Sequence, residues 1–288
     1  MSPFPEHGRT NDQRLAEDLA AQAGRLLTDL RVSRVAPEDL GGFAEGEARA
    51  VIVDRLAVAR PDDAVFGEWN PDSRERLDAD RVWFVDPLDG VRSYVIEGRP
   101  DWAVHVALWE SGPEGVGGIT ACAIAMPAYG RGLTGRGATT HQPISITRGP
   151  RPGPLAPPRQ DDRLRIAVSE AEPPAFAEEL AGALDASLVH LGSGGGKTAT
   201  VVEDECDAYI HTSGHHQWDS AATFGVVCQR GLHASHLDGS ELRYNVEEIE
   251  LPDLLVCRQD VAERTPWPGT SRPPAPGSWR TARRPAPR

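Results

Sequence analysis

Residues 83–90, Trp-Phe-Val-Asp-Pro-Leu-Asp-Gly, constrain this chain more than any other stretch. The apolar run predicts a strand over 81–85. Pro87 has no backbone N–H and blocks further pairing, and Asp89-Gly90 makes a turn. Two carboxylates three residues apart, where a strand emerges into a turn, can converge on one point. Converging carboxylates repel and raise each other's pKa unless a cation lies between them. Oxygen-only donors favour Mg²⁺ over zinc. Taken alone, the segment also reads as an ordinary turn.

Periodicity organises the rest of the chain. Leu15, Leu19, Ala23, Leu26, Leu27 and Leu30 recur at helical spacing and predict a helix over 12–31. A second helix is expected over 47–59, stopped by Pro61-Asp62-Asp63. Strands follow at 64–66, 102–109 and 115–126. Residues 148–162, rich in Pro and Arg, read as a linker. Beyond it come a strand at 164–168, a helix at 173–184, a strand at 187–191 and a Gly-rich turn. A helix at 196–204, a strand at 209–211, a helix at 218–230 and a strand at 254–257 complete the series. The expected division is an N-terminal α+β lobe (1–147), the linker, a C-terminal α/β lobe (163–263) and a tail (264–288). The tail holds seven prolines and six arginines with no apolar period, so it reads as disordered and dispensable.

Composition excludes several classes. The formal charge of −13 argues against a nucleic-acid polymer as partner. No stretch approaches the ~18 consecutive apolar residues of a membrane span, and residues 1–14 lack the apolar core of a secretory signal. Cys122, Cys206, Cys228 and Cys257 have neither CxxC nor zinc-site spacing, and read as buried, reduced thiols of a cytoplasmic protein. Of 30 basic residues only Lys197 is lysine, at the end of Gly192-Ser193-Gly194-Gly195-Gly196-Lys197.

Two further acidic positions join the pair. Glu68 closes the strand at 64–66, and Asp219 opens the helix at 218–230. A carboxylate in a first helical turn is favourable with no metal at all, so Asp219 alone is ambiguous. Together, Glu68, Asp86-Pro87-Leu88-Asp89-Gly90 and Trp218-Asp219-Ser220-Ala221-Ala222 resemble the inositol monophosphatase superfamily from about residue 12 to 258. Arg92, the run Asp101 to Trp109, Lys197 with its glycines, and Tyr244-Asn245 resemble the bacterial 3′(2′),5′-bisphosphate nucleotidases of sulfur assimilation.

That resemblance implies a layered αβαβα sandwich and an Mg²⁺-dependent phosphatase. Its substrate would be a small phosphorylated molecule, foremost adenosine 3′,5′-bisphosphate or its sulfated form. It implies metal ligands at Glu68, Asp86, Asp89, Asp219 and the Leu88 carbonyl. It implies phosphate contacts from Gly90, Val91 and Arg92, and contacts to the rest of the nucleotide from Ser193 and Lys197. Members of this fold often form homodimers, and the resemblance allows one here.

The chain departs from the family pattern at the water-activating pair. Val91 stands where threonine is expected, and valine cannot hydrogen-bond water. Alignment back from Pro61 places Glu45 at the partner aspartate. Gln217 replaces a glutamate, and Trp69 replaces the second of two glutamates. Three accounts stay open: water activation through Glu45 or Glu47, a slow enzyme or one for an inositol or sugar phosphate, or binding without turnover. A P-loop is a disfavoured rival, because Leu191 stands where its first glycine belongs, and ATP hydrolysis dependent on Lys197 would revive it. No Gly-x-Ser-x-Gly elbow supports a serine hydrolase. His215-His216 reads as a surface or loop pair whose side chains point apart.

Overall fold

The computed structural model describes residues 6–33, 37–112, 117–134, 154–265 and 267–268. Helices α1 (Glu6–Arg31) and α2 (Pro37–Ala59) lead into β1 (Ala64–Phe66), β2 (Arg81–Asp89), a five-residue helix α3 (Val91–Val95), β3 (Ala103–Glu110), β4 (Gly118–Met126) and β5 (Arg131–Thr134). The second half runs β6 (Leu164–Ser169), α4 (Ala177–Leu184), β7 (Ala186–Leu191), α5 (Gly194–Val202), β8 (Ala208–His216), α6 (Gln217–Gln229), β9 (His233–Ser235), β10 (Glu250–Cys257) and α7 (Gln259–Arg264).

The strands form two five-stranded sheets, ordered β1-β2-β3-β4-β5 and β7-β6-β8-β10-β9. Three apolar clusters stack the layers. Leu15, Leu19, Ala23 and Leu27 of α1, with Ile52 and Leu56 of α2, cover one face of the first sheet through Trp83, Val85, Val104 and Val106. The opposite face, with Phe84, Ala103 and Ala107, shares a core with α5, α6 and the second sheet. Leu180 and Leu184 of α4 and Val261 of α7 close the outer face of that sheet. The order helix, sheet, helix, sheet, helix is the expected αβαβα sandwich, and alternation along β3 is what lets one strand feed two cores.

Several elements differ from the sequence reading. Helix α2 starts ten residues early, despite Gly41, Gly42 and Gly46. Interior glycines cost about 1 kcal/mol each in a helix, but a Cβ on Gly41 would stand 2.6 Å from Val91 Cγ1, so packing requires that glycine. Strand β2 continues past Pro87 to Asp89 through an irregularity in its pairing with β3 between Asp86 and Asp89. Strand β8 extends to His216, because β10 pairs along it as far as Glu250. Elements α3, β5, β9 and α7 escape the periodicity argument because each is too short to show a period.

Where it is described, the segment read as linker is anchored at Ala156 while most of its residues stay exposed. Ala156 is buried and its N–H donates to Glu205 Oε2 at 2.9 Å. Residues 148–153 lie outside the described residues. The tail boundary at 264 needs correction: Trp267 is 3% exposed and packs in the third core, so the folded body reaches at least Pro268. Residues 269–288 lie outside the described residues. Cys122, Cys206 and Cys257 are buried as expected, whereas Cys228 is exposed. Among the described residues no helix is long and apolar enough to cross a membrane.

Candidate active site

The acidic residues meet where the end of β2 faces the starts of α5 and α6. Asp86 and Asp89 flank the irregular stretch of β2. Asp86 Oδ1 accepts the Leu88 N–H at 3.1 Å, and the Leu88 side chain is buried in the first core. Asp89 Oδ2 accepts the Gly195 N–H at 2.7 Å, from the first turn of α5. Asp219 is the third residue of α6, and its Oδ2 accepts the His216 N–H at 2.7 Å in a capping box. Each carboxylate therefore spends one oxygen on a backbone donor and keeps the other.

Electrostatics show what these groups lack. Burial, then the charges of Asp89 and Asp219, push the Asp86 carboxyl well above its ordinary range. Burial raises Asp219 as well, with Asp89 adding repulsion against the hydrogen bonds from His216. Burial acts in the same direction on Asp89, but His105, Lys197 and the Gly195 N–H outweigh it and hold that carboxyl low. Glu45 on α2 is raised by burial and then by Glu68, so these two acids share one locality, and Glu45 also adds to the repulsion at Asp86. Glu68 itself is exposed.

Among the described residues no three His, Cys, Asp or Glu side chains are drawn tightly enough to enclose an ion as they stand. The donor set nevertheless suits a hard divalent cation. It offers carboxylate oxygens beyond those held by backbone donors, and repulsion from Asp89 adds to burial in raising Asp86 and Asp219.

The positions expected to face phosphate or nucleotide divide. Gly90 has φ +82°, and a Cβ there would lie 2.9 Å from Ser193 Cβ, so only glycine fits both the turn and the approach of α5. Val91 begins α3, half-buried over Gly41, while Arg92 is exposed. Ser193 is fully buried and its Oγ accepts the Gly196 N–H at 2.8 Å; the structure assigns it the N-cap of α5. Lys197 is 2% exposed, donates to the Gly192 carbonyl at 3.3 Å and lies over the Tyr209 ring. Burial brings its pKa down to about 8, against the pull of Asp89 and Asp101.

Several neighbours make contacts that the sequence did not indicate. Asp101 Oδ2 accepts the Gly192 N–H at 2.7 Å and pairs with Arg99, which also pairs with Glu170, fixing the entry to α5. His215 and His216 do point apart, but from strand β8 rather than a loop. His215 stacks on His211, and His216 stacks on Trp218. Burial, then His211 and Lys197, drive the His215 pKa well below its usual value. The departure at Gln217 has a local reason. Its amide donates to the Val246 and Glu248 carbonyls and accepts the Asn245 N–H, and a carboxylate could not donate.

The sequence matches the inositol monophosphatase family over residues 11–263. It is 42% identical over 257 residues to a 3′-phosphoadenosine 5′-phosphate phosphatase of Mycobacterium leprae (strain TN), covering 87% of this chain and 90% of that protein. A 3′(2′),5′-bisphosphate nucleotidase CysQ of Aggregatibacter actinomycetemcomitans is 27% identical, over 75% of this chain and 78% of that one. Among solved structures, CysQ from Bacteroides thetaiotaomicron superposes with a TM-score of 0.65 at 21% identity, covering 86% of this chain and 97% of that chain. With a family match spanning nearly the whole folded body, and with the carboxylates gathered at the end of β2, the chain belongs to the inositol monophosphatase family.

Proposed function

We propose that this protein is an Mg²⁺-dependent phosphomonoester hydrolase that removes the 3′-phosphate of adenosine 3′,5′-bisphosphate. The observation that carries the reading is that Asp86, Asp89 and Asp219 lie near enough to repel, with the Asp86 and Asp219 carboxyls raised by burial and by that repulsion. It stands beside 42% identity to a relative named for that activity. Asp86, Asp89, Asp219, Glu68 and the Leu88 carbonyl are the residues to hold Mg²⁺. When bound, Mg²⁺ neutralises the phosphate and eases attack by water. Glu45, with its raised carboxyl beside Glu68, is the candidate base that orients the attacking water, in a cytoplasmic enzyme of this kind. The Gly90 and Val91 N–H groups and Arg92 are the candidate phosphate contacts. Lys197 supplies positive potential from the buried side of α5, and Ser193 acts by setting where α5 begins. The experiment is phosphate release from adenosine 3′,5′-bisphosphate, an inositol monophosphate and a sugar phosphate, with Mg²⁺ and with chelator. Release from the bisphosphate that disappears with chelator is expected. Faster release from another ester in the panel would reassign the substrate.

Val91 favours a second reading, in which the site binds its ligand and turns it over slowly or not at all. Threonine is nearly the same shape, so Val91→Thr should keep the packing on Gly41 and raise kcat/KM. Glu45 lies one turn after Gly41 on α2, on the face that meets α3. Its carboxylate is one methylene longer than the family's aspartate. The double variant with Glu45→Asp should therefore exceed the product of the two single gains, on the order of tenfold or more overall, since a general-base contact is worth ~10²–10⁴. Kinetics of all four proteins measure this coupling. Four equal values would mean that water activation here does not use this pair.

A further inference from the structure

His105 is buried in β3 with no exposed surface, on a face otherwise lined by Ala103 and Ala107. An imidazole in such a place costs desolvation unless its nitrogens are used, and here both face the acidic site. Nδ1 lies 2.9 Å from the Asp219 carbonyl, which can only accept, so Nδ1 carries the hydrogen and the ring is oriented. Nε2 faces Asp89, 3.2 Å from Oδ2, and pairs with that carboxylate when the ring holds a hydrogen on this nitrogen as well. In the sheet register His105 stands directly opposite Asp86. One side chain thus adjoins all three carboxylate-bearing residues while leaving Asp89 Oδ1 and both Asp219 carboxylate oxygens untouched. The surrounding backbone is shaped to admit the ring. A Cβ on Gly195 would stand 2.8 Å from Nε2 and 2.6 Å from the Ala103 Cβ.

We propose that His105 is a positioning residue that ties the end of β2 to the start of α6, setting the separation at which Asp89 and Asp219 present their remaining oxygens to one divalent cation. The inference rests on the reading of those aspartates as Mg²⁺ ligands. A residue that only filled space would be replaceable by any side chain of similar volume. A residue that orients ligands is replaceable only by one that restores its hydrogen bonds, and losing such a contact typically weakens metal binding ~10–100-fold.

The test is calorimetric titration of Mg²⁺ into the metal-free full-length protein, alongside its melting temperature. The variants are His105→Ala, His105→Leu, His105→Asn and His105→Gln. The Asn amide nitrogen reaches about as far as Nδ1 and the Gln amide about as far as Nε2, so each restores one of the two contacts. His105→Ala and His105→Leu should raise the Mg²⁺ Kd at least tenfold. His105→Asn and His105→Gln, with metal-free melting temperatures no higher than that of His105→Leu, should recover part of the loss. Wild-type affinity in His105→Leu would overturn the proposal, as would losses that track melting temperature across the set. If wild type itself binds no Mg²⁺, the metal site of the proposed function falls, and this inference with it.

Discussion

Replacing Asp89 or Asp219 by asparagine is expected to lower Mg²⁺-dependent kcat/KM by about 10³ or more. Each change removes one hard anionic ligand, and a catalytic divalent cation supplies several kcal/mol of transition-state stabilisation, which is that factor in rate. The fold should survive. Asparagine keeps an oxygen to accept the Gly195 N–H at position 89 and the His216 N–H at position 219. The two variants should differ when metal is absent. The folded-state pKa of Asp219 is raised, so its charge opposes folding above the unfolded value, and Asp219→Asn should leave the metal-free melting temperature level or raise it. Asp89 is held low, so its charge contributes stability at neutral pH, and Asp89→Asn should cost some. Mg²⁺ should raise the melting temperature of wild type and raise it less in either variant. Near-wild-type turnover with unchanged Mg²⁺ stabilisation in both would remove the metal site from this account.

The second large effect concerns the end of the folded body. On composition alone, a chain stopped after Glu263 should melt within a few degrees of the full-length protein. The structure reverses that expectation. Trp267 packs with Ile166, Val168, Leu255 and Cys257 on the outer face of the second sheet. Truncating a buried tryptophan to alanine costs about 3–5 kcal/mol. At ~2–4 °C per kcal/mol for a protein of this size, Trp267→Ala should melt roughly 6–20 °C lower, and a chain ending at Glu263 at least as low. A chain ending at Pro268 should stay within a few degrees of wild type. Thermal unfolding of the three proteins decides it, and an unshifted Trp267→Ala would mean that this ring contributes nothing to the core.

The outcome at Trp267 illustrates where a linear reading stops. One aromatic residue between Pro266 and Pro268 has no period, and its burial depends on a groove made by strands β6 and β10, far away in the chain. The early start of α2 has the same character. Gly41 and Gly42 look like helix breakers until Val91 is seen resting on Gly41. Helices α1 and α4 were legible because they repeat their apolar positions on one face, and β2, β3 and β4 because they are continuous apolar runs buried on both faces.

For the acidic site, the residue types were legible and the arrangement was not. Asp86-Pro87-Leu88-Asp89-Gly90, Glu68 and Asp219 announce themselves because several carboxylates near one another demand a cation, and because their order resembles a known family. Gly195 reaches Asp89 from 106 positions away, and His105 reaches Asp219 across 114. Ser193, expected to face substrate, is an N-cap, and Lys197, the single lysine, sits on the buried side of α5.

By itself the sequence determined where the longer elements lie, which of their faces are apolar and which atoms can bind a hard cation, since those depend on neighbours within a turn or a strand. Tertiary structure alone decided how far apart the carboxylates stand, which of their oxygens stay free and which polar residues are buried around them. Those properties depend on desolvation and on contacts between layers, which no local pattern encodes.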